Sequence, residues 1–146
     1  METRRPRILL IEDNDDHAEL VSRALEEYEP PPDITRIRDG EAALAYLEHE
    51  MLDDPERHPR PDLVLLDLRL PRVDGLDVLR EIKTSANLSS LPVVVLSSSQ
   101  AESDLAQAYQ GRVNAYLVKP ADFDGLDEML RDTRTFWLAW NRHPPA

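Results

Sequence analysis

The stretch that decides the fold is LVLLD at residues 63–67, four aliphatic side chains followed by a carboxylate. Four consecutive apolar residues leave no polar face, so they suit a strand that is covered on both sides, as in a parallel sheet between helices. Ile8–Ile11 and Val93–Leu96 have the same character, and weaker strand patterns occur at Ile34–Ile37 and Ala115–Val118. The sequence therefore predicts five short strands.

Helical patterns separate these strands, because the apolar residues between them recur every three or four positions. The predicted helices are Asp15–Tyr28, Glu41–Met51, Gly75–Ser85, Gln100–Tyr109 and Asp122–Trp140. Ser99 and Glu102 have the spacing of a capping box at the start of the fourth helix. Strands that alternate with helices predict a parallel sheet with helices on both faces, an open doubly wound α/β fold.

The composition excludes several classes of function. The 146-residue chain has 29 acidic and 17 basic residues, which gives a formal net charge of −12. Such a surface repels phosphate backbones and anionic lipid, so we expect no nucleic-acid and no membrane partner. The absence of cysteine excludes disulfides and thiolate metal sites, and no apolar run is long enough for a membrane span. We expect one cytoplasmic domain over residues 1–146.

Charged and hydroxyl residues follow four of the predicted strands. Glu12 and Asp13 follow the first strand, Asp67 follows the third, Ser97 follows the fourth and Lys119 follows the fifth. Ligands of open α/β sheets bind beyond the carboxyl ends of the strands. We therefore expect three acids, a hydroxyl and a cation to lie together at that edge of the sheet.

This set of residues suits the transfer of a phosphoryl group. Two carboxylates ~4 Å apart repel each other by roughly 4 kcal/mol at an effective dielectric near 20, so three of them require cations. Lys119 supplies one, and a hard ion such as Mg²⁺ would supply more. An incoming phosphoryl group would meet metal, ammonium and hydroxyl, with Asp67 as the nucleophile. Each residue alone also has an ordinary structural explanation, such as a helix cap for Asp13.

Four motifs together resemble the receiver domain of bacterial response regulators. They are ILLIEDN at 8–14, DLVLLDLRLPRVDG at 62–75, LPVVVLSSS at 91–99 and AYLVKP at 115–120. The resemblance extends from about Arg7 to Leu130. It implies a flavodoxin-like (βα)5 fold with strand order 2-1-3-4-5.

The resemblance also implies roles for the acidic residues. Asp67 would be the phosphoacceptor for the phosphohistidine of a sensor histidine kinase, and Glu12 and Asp13 would hold Mg²⁺. The backbone carbonyl of Arg69 would be a further metal ligand. The side chain of Arg69 departs from the usual family pattern and would place a long cation beside the phosphate.

Other residues match the phosphate-binding and switch positions of the family. Ser97 would bind the phosphate through its hydroxyl, and Lys119 would pair with it. Tyr116 would be the aromatic switch residue, on a signalling face made by the fourth helix, fifth strand and fifth helix. The peptide bond between Lys119 and Pro120 would be cis.

The rest of the chain suggests a subtype. No DNA-binding or catalytic output domain is expected after the receiver core at 7–130, only a helix extended to about residue 141. A long loop at 51–61 and the segment FWLAWN at 136–141 resemble regulators that pair with bacterial phytochrome histidine kinases. The aromatic residues of that segment cannot all face the core, so we expect a homodimer formed through this helical region.

Three other functions compete with this interpretation. A haloacid-dehalogenase-type phosphatase requires a second aspartate two residues after its nucleophile, where this chain has Arg69. A nucleotide or flavin binder lacks support because there is no glycine-rich loop. A degenerate receiver that acts only as an interaction module is disfavoured because every phosphorylation residue is present. The histidines at 17, 49, 58 and 143 show no ligand spacing and are expected on the surface.

Overall fold

A computed structural model of the chain describes residues 4–144. The ends of the expected domain, residues 1–3 and 145–146, lie outside the described residues. The strands are β1 (Arg7–Ile11), β2 (Asp33–Ile37), β3 (Leu63–Leu66), β4 (Val93–Ser97) and β5 (Ala115–Val118). All neighbouring pairs are parallel, in the order β2-β1-β3-β4-β5. The predicted fold class and strand order are confirmed.

Helices alternate with the strands as predicted. They are α1 (Asp15–Glu26), α2 (Gly40–Ala45, a π-helical Tyr46–Glu50 and Met51–Asp53), α3 (Gly75–Thr84), α4 (Glu102–Gln110) and α5 (Phe123–Arg134, continued by a π-helical Thr135–Trp140). The capping box predicted at Ser99 is wrong. The N-cap of α4 is Ala101, and the Ser99 hydroxyl donates to the Asp104 side chain and accepts from the Ala101 N–H.

The central strands are buried on both faces. In β3, Val64 and Leu66 face one core cluster with α2, α3 and α4, and Leu63 and Leu65 face the other with α1 and α5. This division explains why the deciding stretch has no polar position. Within residues 4–144, no helix is both long and apolar enough to cross a membrane.

A glycine allows the loop after β3 to fold tightly. A Cβ atom at Gly75 would lie 2.4 Å from the Asp67 carbonyl oxygen and 2.5 Å from the Cα of Leu68. The Gly75 N–H donates to the Leu68 carbonyl at 2.9 Å, and the Asp67 N–H donates to the Ile11 carbonyl at 3.0 Å. The start of α3 therefore lies directly against the backbone that carries Asp67.

The predicted cis bond between Lys119 and Pro120 is wrong. Within residues 4–144 the cis peptide bond is Glu29–Pro30, so the Lys119–Pro120 bond is trans. Trans is the lower-energy form of an X-Pro bond by about 0.5–1 kcal/mol. The Lys119 side chain reaches the carboxyl ends of the strands from this trans backbone. Its Nζ lies there, 2.7 Å from Glu12 Oε1.

Candidate functional site

Three carboxylates meet where the two central strands end. Ile11 pairs with Leu66 in the sheet, so Glu12 and Asp67, the residues that follow them, are neighbours. One oxygen from each of Glu12, Asp13 and Asp67 lies within 4.8 Å of the others. Glu12 and Asp67 are buried, whereas Asp13 is exposed. This oxygen-only cluster has the chemistry of a site for a hard divalent cation.

Lys119 is bound to one acid of the cluster. Its Nζ donates to Glu12 Oε1 at 2.7 Å, and both side chains are buried. The same Nζ lies 3.1 Å from Nδ1 of His17. The sequence prediction left His17 on the surface and missed this contact, although the side chain is 40% exposed. The one indication in the sequence is its position in the first turn of the helix after Glu12 and Asp13.

The two buried acids differ in their affinity for a proton. Burial and the charge of Glu12 together raise the pKa of Asp67 to about 7, although the charge of Lys119 acts in the opposite direction. Burial also acts to raise the pKa of Glu12, but the hydrogen bond and charge of Lys119, together with hydrogen bonds from Asp67 and Asn14, outweigh it and leave that pKa lowered. Glu12 is therefore the ionised partner of Lys119. Asp67 faces an excess of negative charge that a bound cation would relieve.

The two predicted switch residues are joined through Ser99. Ser97 is fully buried, and its Oγ accepts a hydrogen bond from the Ser99 N–H at 3.1 Å. The hydroxyl of Tyr116, a half-buried residue, donates to the Ser99 carbonyl at 3.0 Å. Sequence analysis assigned Ser99 only a capping role. The structure makes it the residue through which hydrogen bonds connect Ser97 with Tyr116.

The Arg69 side chain is paired with an acid that sequence analysis missed. The guanidinium of Arg69 lies 2.6 Å from Oδ2 of Asp104, a buried residue on α4. The backbone N–H of Arg69 lies 3.4 Å from Oδ1 of Asp67. The indication in the sequence is an acid on the inner face of α4, where Ala108 is the other buried residue.

The acidic cluster lines an open cleft of about 200 Å³. Its lining residues are Glu12, Asp13, Asn14, His17, Asp67, Arg69, Ser98 and Lys119. Ser97, predicted to face the phosphate, is absent from this lining, and Ser98 stands there instead. A larger groove of about 730 Å³ adjoins the cleft and shares His17, Ser98 and Lys119 with it.

The aromatic residues at the end of α5 divide between core and solvent. Trp137 and Leu138 pack against the core cluster that α1 and α5 share. Phe136 is 52% exposed and Trp140 is 75% exposed. The expectation that these side chains cannot all face the core agrees with this arrangement.

A parallel sheet of this strand order, with an acidic cluster and a lysine at the carboxyl ends of its strands, is the architecture of a receiver. The family model described as the response regulator receiver domain matches residues 8–131, and the chain belongs to that family. Receivers are signalling domains rather than classical enzymes. The family assignment decides against the haloacid-dehalogenase and nucleotide-binding alternatives.

Similar proteins cover nearly the whole chain. It is 47% identical over 137 residues to the probable methanogenesis regulatory protein FilR2 of Methanothrix harundinacea. The aligned residues cover 94% of this chain and 86% of FilR2. It is 40% identical to the response regulator Rcp1 of Synechocystis, over 95% of this chain and 93% of Rcp1.

Solved structures show the same relationship. The phosphorylated cyanobacterial phytochrome response regulator RcpA matches with a TM-score of 0.91 at 38% identity, over 97% of this chain and 100% of RcpA. The Mn²⁺-bound form of Rcp1 matches with a TM-score of 0.88 at 38% identity, over 96% of this chain and 99% of that structure. The chain is thus a receiver homologous to phytochrome response regulators.

Proposed function

We propose that Asp67 accepts a phosphoryl group from the phosphohistidine of a sensor histidine kinase. The observation that carries this proposal is the meeting of three carboxylate oxygens within 4.8 Å, beside a buried lysine. A carboxylate oxygen of Asp67 attacks the phosphorus, and a new O–P bond forms as the N–P bond breaks. The imidazole nitrogen leaves with the bonding electrons and takes up a proton. Beyond its own phosphorylation and dephosphorylation, the domain catalyses no reaction.

The acidic cluster would hold Mg²⁺. Glu12, Asp13 and Asp67 offer carboxylate oxygens, and the Arg69 carbonyl would add a neutral one, the donor set that Mg²⁺ prefers. Rcp1 binds Mn²⁺ in its crystal structure, which supports a divalent ion here. When bound, Mg²⁺ neutralises part of the charge on the phosphoryl oxygens. Lys119, already at the cluster, would pair with a further phosphoryl oxygen.

Phosphorylation would be signalled through Ser97 and Tyr116. A phosphoryl oxygen would draw the Ser97 hydroxyl toward Asp67. The hydrogen bond that the Ser99 N–H now donates to Ser97 Oγ would then break. Tyr116 is bonded to the same residue, so a shift of Ser99 would reach the face formed by α4, β5 and α5. A coupling of about 1–3 kcal/mol would be enough for such a population shift.

The partner would be a cytoplasmic sensor kinase, and a bacterial phytochrome is the kind that the relatives suggest. RcpA is itself a phytochrome response regulator and is 38% identical to this chain. The groove beside the cleft contains Phe123, which is 61% exposed and offers an apolar contact next to Lys119 and His17. The excess of acidic residues argues against nucleic-acid and membrane partners.

A homodimer that forms through the signalling face would couple self-association to phosphorylation of the receiver. On α4, Leu105 is 39% and Tyr109 is 55% exposed, and β5 beside it is an edge strand. Phe136 and Trp140 add exposed aromatic surface on α5. An isologous two-fold contact through α4, β5 and α5 would cover these side chains.

Phosphorylation by a small donor tests the proposal without the kinase. Incubation with acetyl phosphate should add one phosphoryl group, seen by intact mass, only when Mg²⁺ is present. Asp67→Asn should abolish the addition. Asp53→Asn, which removes an exposed acid at the end of α2, should leave it unchanged. Full labelling of Asp67→Asn would refute the assignment, and an unlabelled wild-type protein would favour the degenerate receiver.

A further inference from the structure

Asp104 is a buried carboxylate held by two donors from different loops. Its Oδ2 accepts from the Arg69 guanidinium at 2.6 Å and from the Ser99 hydroxyl at 2.5 Å. The residue is only 7% exposed, whereas the side chain of Arg69 is 63% exposed. A buried carboxylate needs its cation more than an exposed arginine needs its acid. The pair therefore fixes Arg69 to α4 while leaving it open to solvent.

Ser99 connects this ion pair to the predicted switch. Its hydroxyl donates to Asp104, its N–H donates to Ser97, and its carbonyl accepts from Tyr116. The loop between β4 and α4 is thus held at Ser99 by hydrogen bonds to Asp104, Ser97 and Tyr116 outside the loop itself. Ser99 is therefore the one residue that contacts Asp104, Ser97 and Tyr116 together within the described residues.

Arg69 also lines the cleft above Asp67. Lys119, which would also pair with a phosphoryl oxygen, lines the same cleft and is hydrogen-bonded to Glu12 at 2.7 Å. A phosphoryl group carries about −1.5 to −2 charges at neutral pH and presents three strong acceptor oxygens. A phosphoryl group on Asp67 would therefore compete with Asp104 for the Arg69 guanidinium. A guanidinium can donate two parallel hydrogen bonds to two oxygens of one phosphoryl group.

We propose that Arg69 is an exchangeable cation, bound to Asp104 before phosphorylation and to the phosphoryl group afterwards. The exchange leaves Asp104 without its cation and loosens the contacts of Ser99 that hold the loop. Arg69 thereby becomes a phosphate-binding residue, and Asp104 a positioning residue that opposes it. This inference rests on the proposed function of Asp67, because it needs an anion in the cleft.

The exchange makes a prediction about binding. Because Asp104 competes for Arg69, removing its charge favours the anion-bound state, and removing Arg69 disfavours it. Asp104→Asn removes the charge but keeps one oxygen that can accept from the Ser99 hydroxyl. If Asp104 acts through Arg69, its substitution has no effect on anion binding once Arg69 is gone.

The test measures the dissociation constant of beryllofluoride, a phosphoryl mimic, at saturating Mg²⁺ by nuclear magnetic resonance titration. Asp104→Asn should tighten binding about fivefold or more, the lower end of the range for coupled sites. Arg69→Gln should weaken it by a similar factor, and the double variant should match Arg69→Gln. Asp77→Asn is the matched control, since it removes one charge from an equally short but exposed pair, Asp77–Arg80 at 2.6 Å, and should change nothing.

The outcomes separate this inference from the proposed function. Wild-type protein that does not bind beryllofluoride would overturn both. Wild-type binding with no tightening in Asp104→Asn, or with equal tightening in the Arg69→Gln background, would overturn the exchange alone. If Asp104→Asn does not fold, the wild-type protein decides: the Arg69 Nε–H resonance should shift on adding beryllofluoride, and an unchanged resonance would contradict the exchange.

Discussion

At the scale of single residues, the site separates its acids by their partners. Glu12 holds Lys119, so its pKa is lowered against the effect of burial. Asp67 has the opposite outcome, because burial and the nearby Glu12 raise its pKa to about 7. Asp13 lies at the exposed rim of the same cluster. Asp67 is therefore the acid with most to gain from a cation in the cleft.

Asp13 offers the cleanest test of the metal site. Since it is exposed, Asp13→Ala should leave the free energy of unfolding within about 0.5 kcal/mol of wild type. It should weaken Mg²⁺ binding at least about tenfold by calorimetry, because it removes a charged ligand. Asp16→Ala, an exposed acid in the first turn of α1, should bind Mg²⁺ normally. Equal losses in the two variants would show that only general charge matters.

At the scale of elements, α5 serves both the core and the surface. Its first part buries Leu126 and Leu130 against the sheet, and its π-helical end packs Trp137 while leaving Trp140 75% exposed. Trp137 and Phe136 also meet edge to face, with ring centroids 5.1 Å apart. Stability and self-association should therefore depend on different aromatic residues of the same helix.

Two tryptophan variants separate these roles. Trp137→Ala should lower the free energy of unfolding by about 2–4 kcal/mol, because it removes packed aromatic surface. Trp140→Ala should change stability by less than about 1 kcal/mol but should weaken the proposed dimer. Urea unfolding and sedimentation equilibrium measure the two effects. A strict monomer at micromolar concentration, with and without beryllofluoride, would contradict the dimer.

The elements were predictable where sequence and packing follow one period. The sequence of Leu63–Leu66 predicts a strand with helices on both faces, because every position is apolar. The meeting of Glu12, Asp67 and Lys119 followed from strand ends alone. The role of Ser99 did not, because its hydroxyl bonds to the Asp104 side chain and to the Ala101 N–H. The ion pair of Arg69 did not either, because its partner Asp104 lies 35 positions away. Such contacts depend on how two loops are packed, which no local pattern records.

At the scale of the whole molecule, Arg4 and Arg7 both bind Asp62, the acid that precedes β3. Arg4 donates to Asp62 at 2.5 and 2.8 Å, and the Arg7 N–H donates to the same carboxylate at 2.9 Å. Burial acts to raise the pKa of Asp62, but these hydrogen bonds, together with the charge of Arg4, outweigh it and leave that pKa lowered. Asp62 and Asp67 flank opposite ends of β3, so Asp62 lies at the amino ends of the strands and Asp67 at their carboxyl ends.

The lowered pKa of Asp62 predicts a pH-dependent contribution to stability. An acid whose folded pKa is depressed stabilises the fold above its unfolded pKa, about 3.9, and loses that contribution as pH falls through its folded pKa. Asp62→Asn should therefore cost about 1–3 kcal/mol at pH 7, and the difference from wild type should shrink below about pH 4. Asp33→Asn, from the exposed Arg5–Asp33 pair, should cost less than about 1 kcal/mol. A difference independent of pH would contradict the assignment.

The central claim for the molecule is that Asp67 carries an acyl phosphate. Borohydride reduces an aspartyl phosphate to homoserine, so reduction after acetyl phosphate and Mg²⁺ treatment marks the modified residue permanently. Tandem mass spectrometry of the digested protein should find homoserine at position 67, and none after treatment without Mg²⁺. Homoserine at position 13 or elsewhere, with an intact aspartate at 67, would contradict the account.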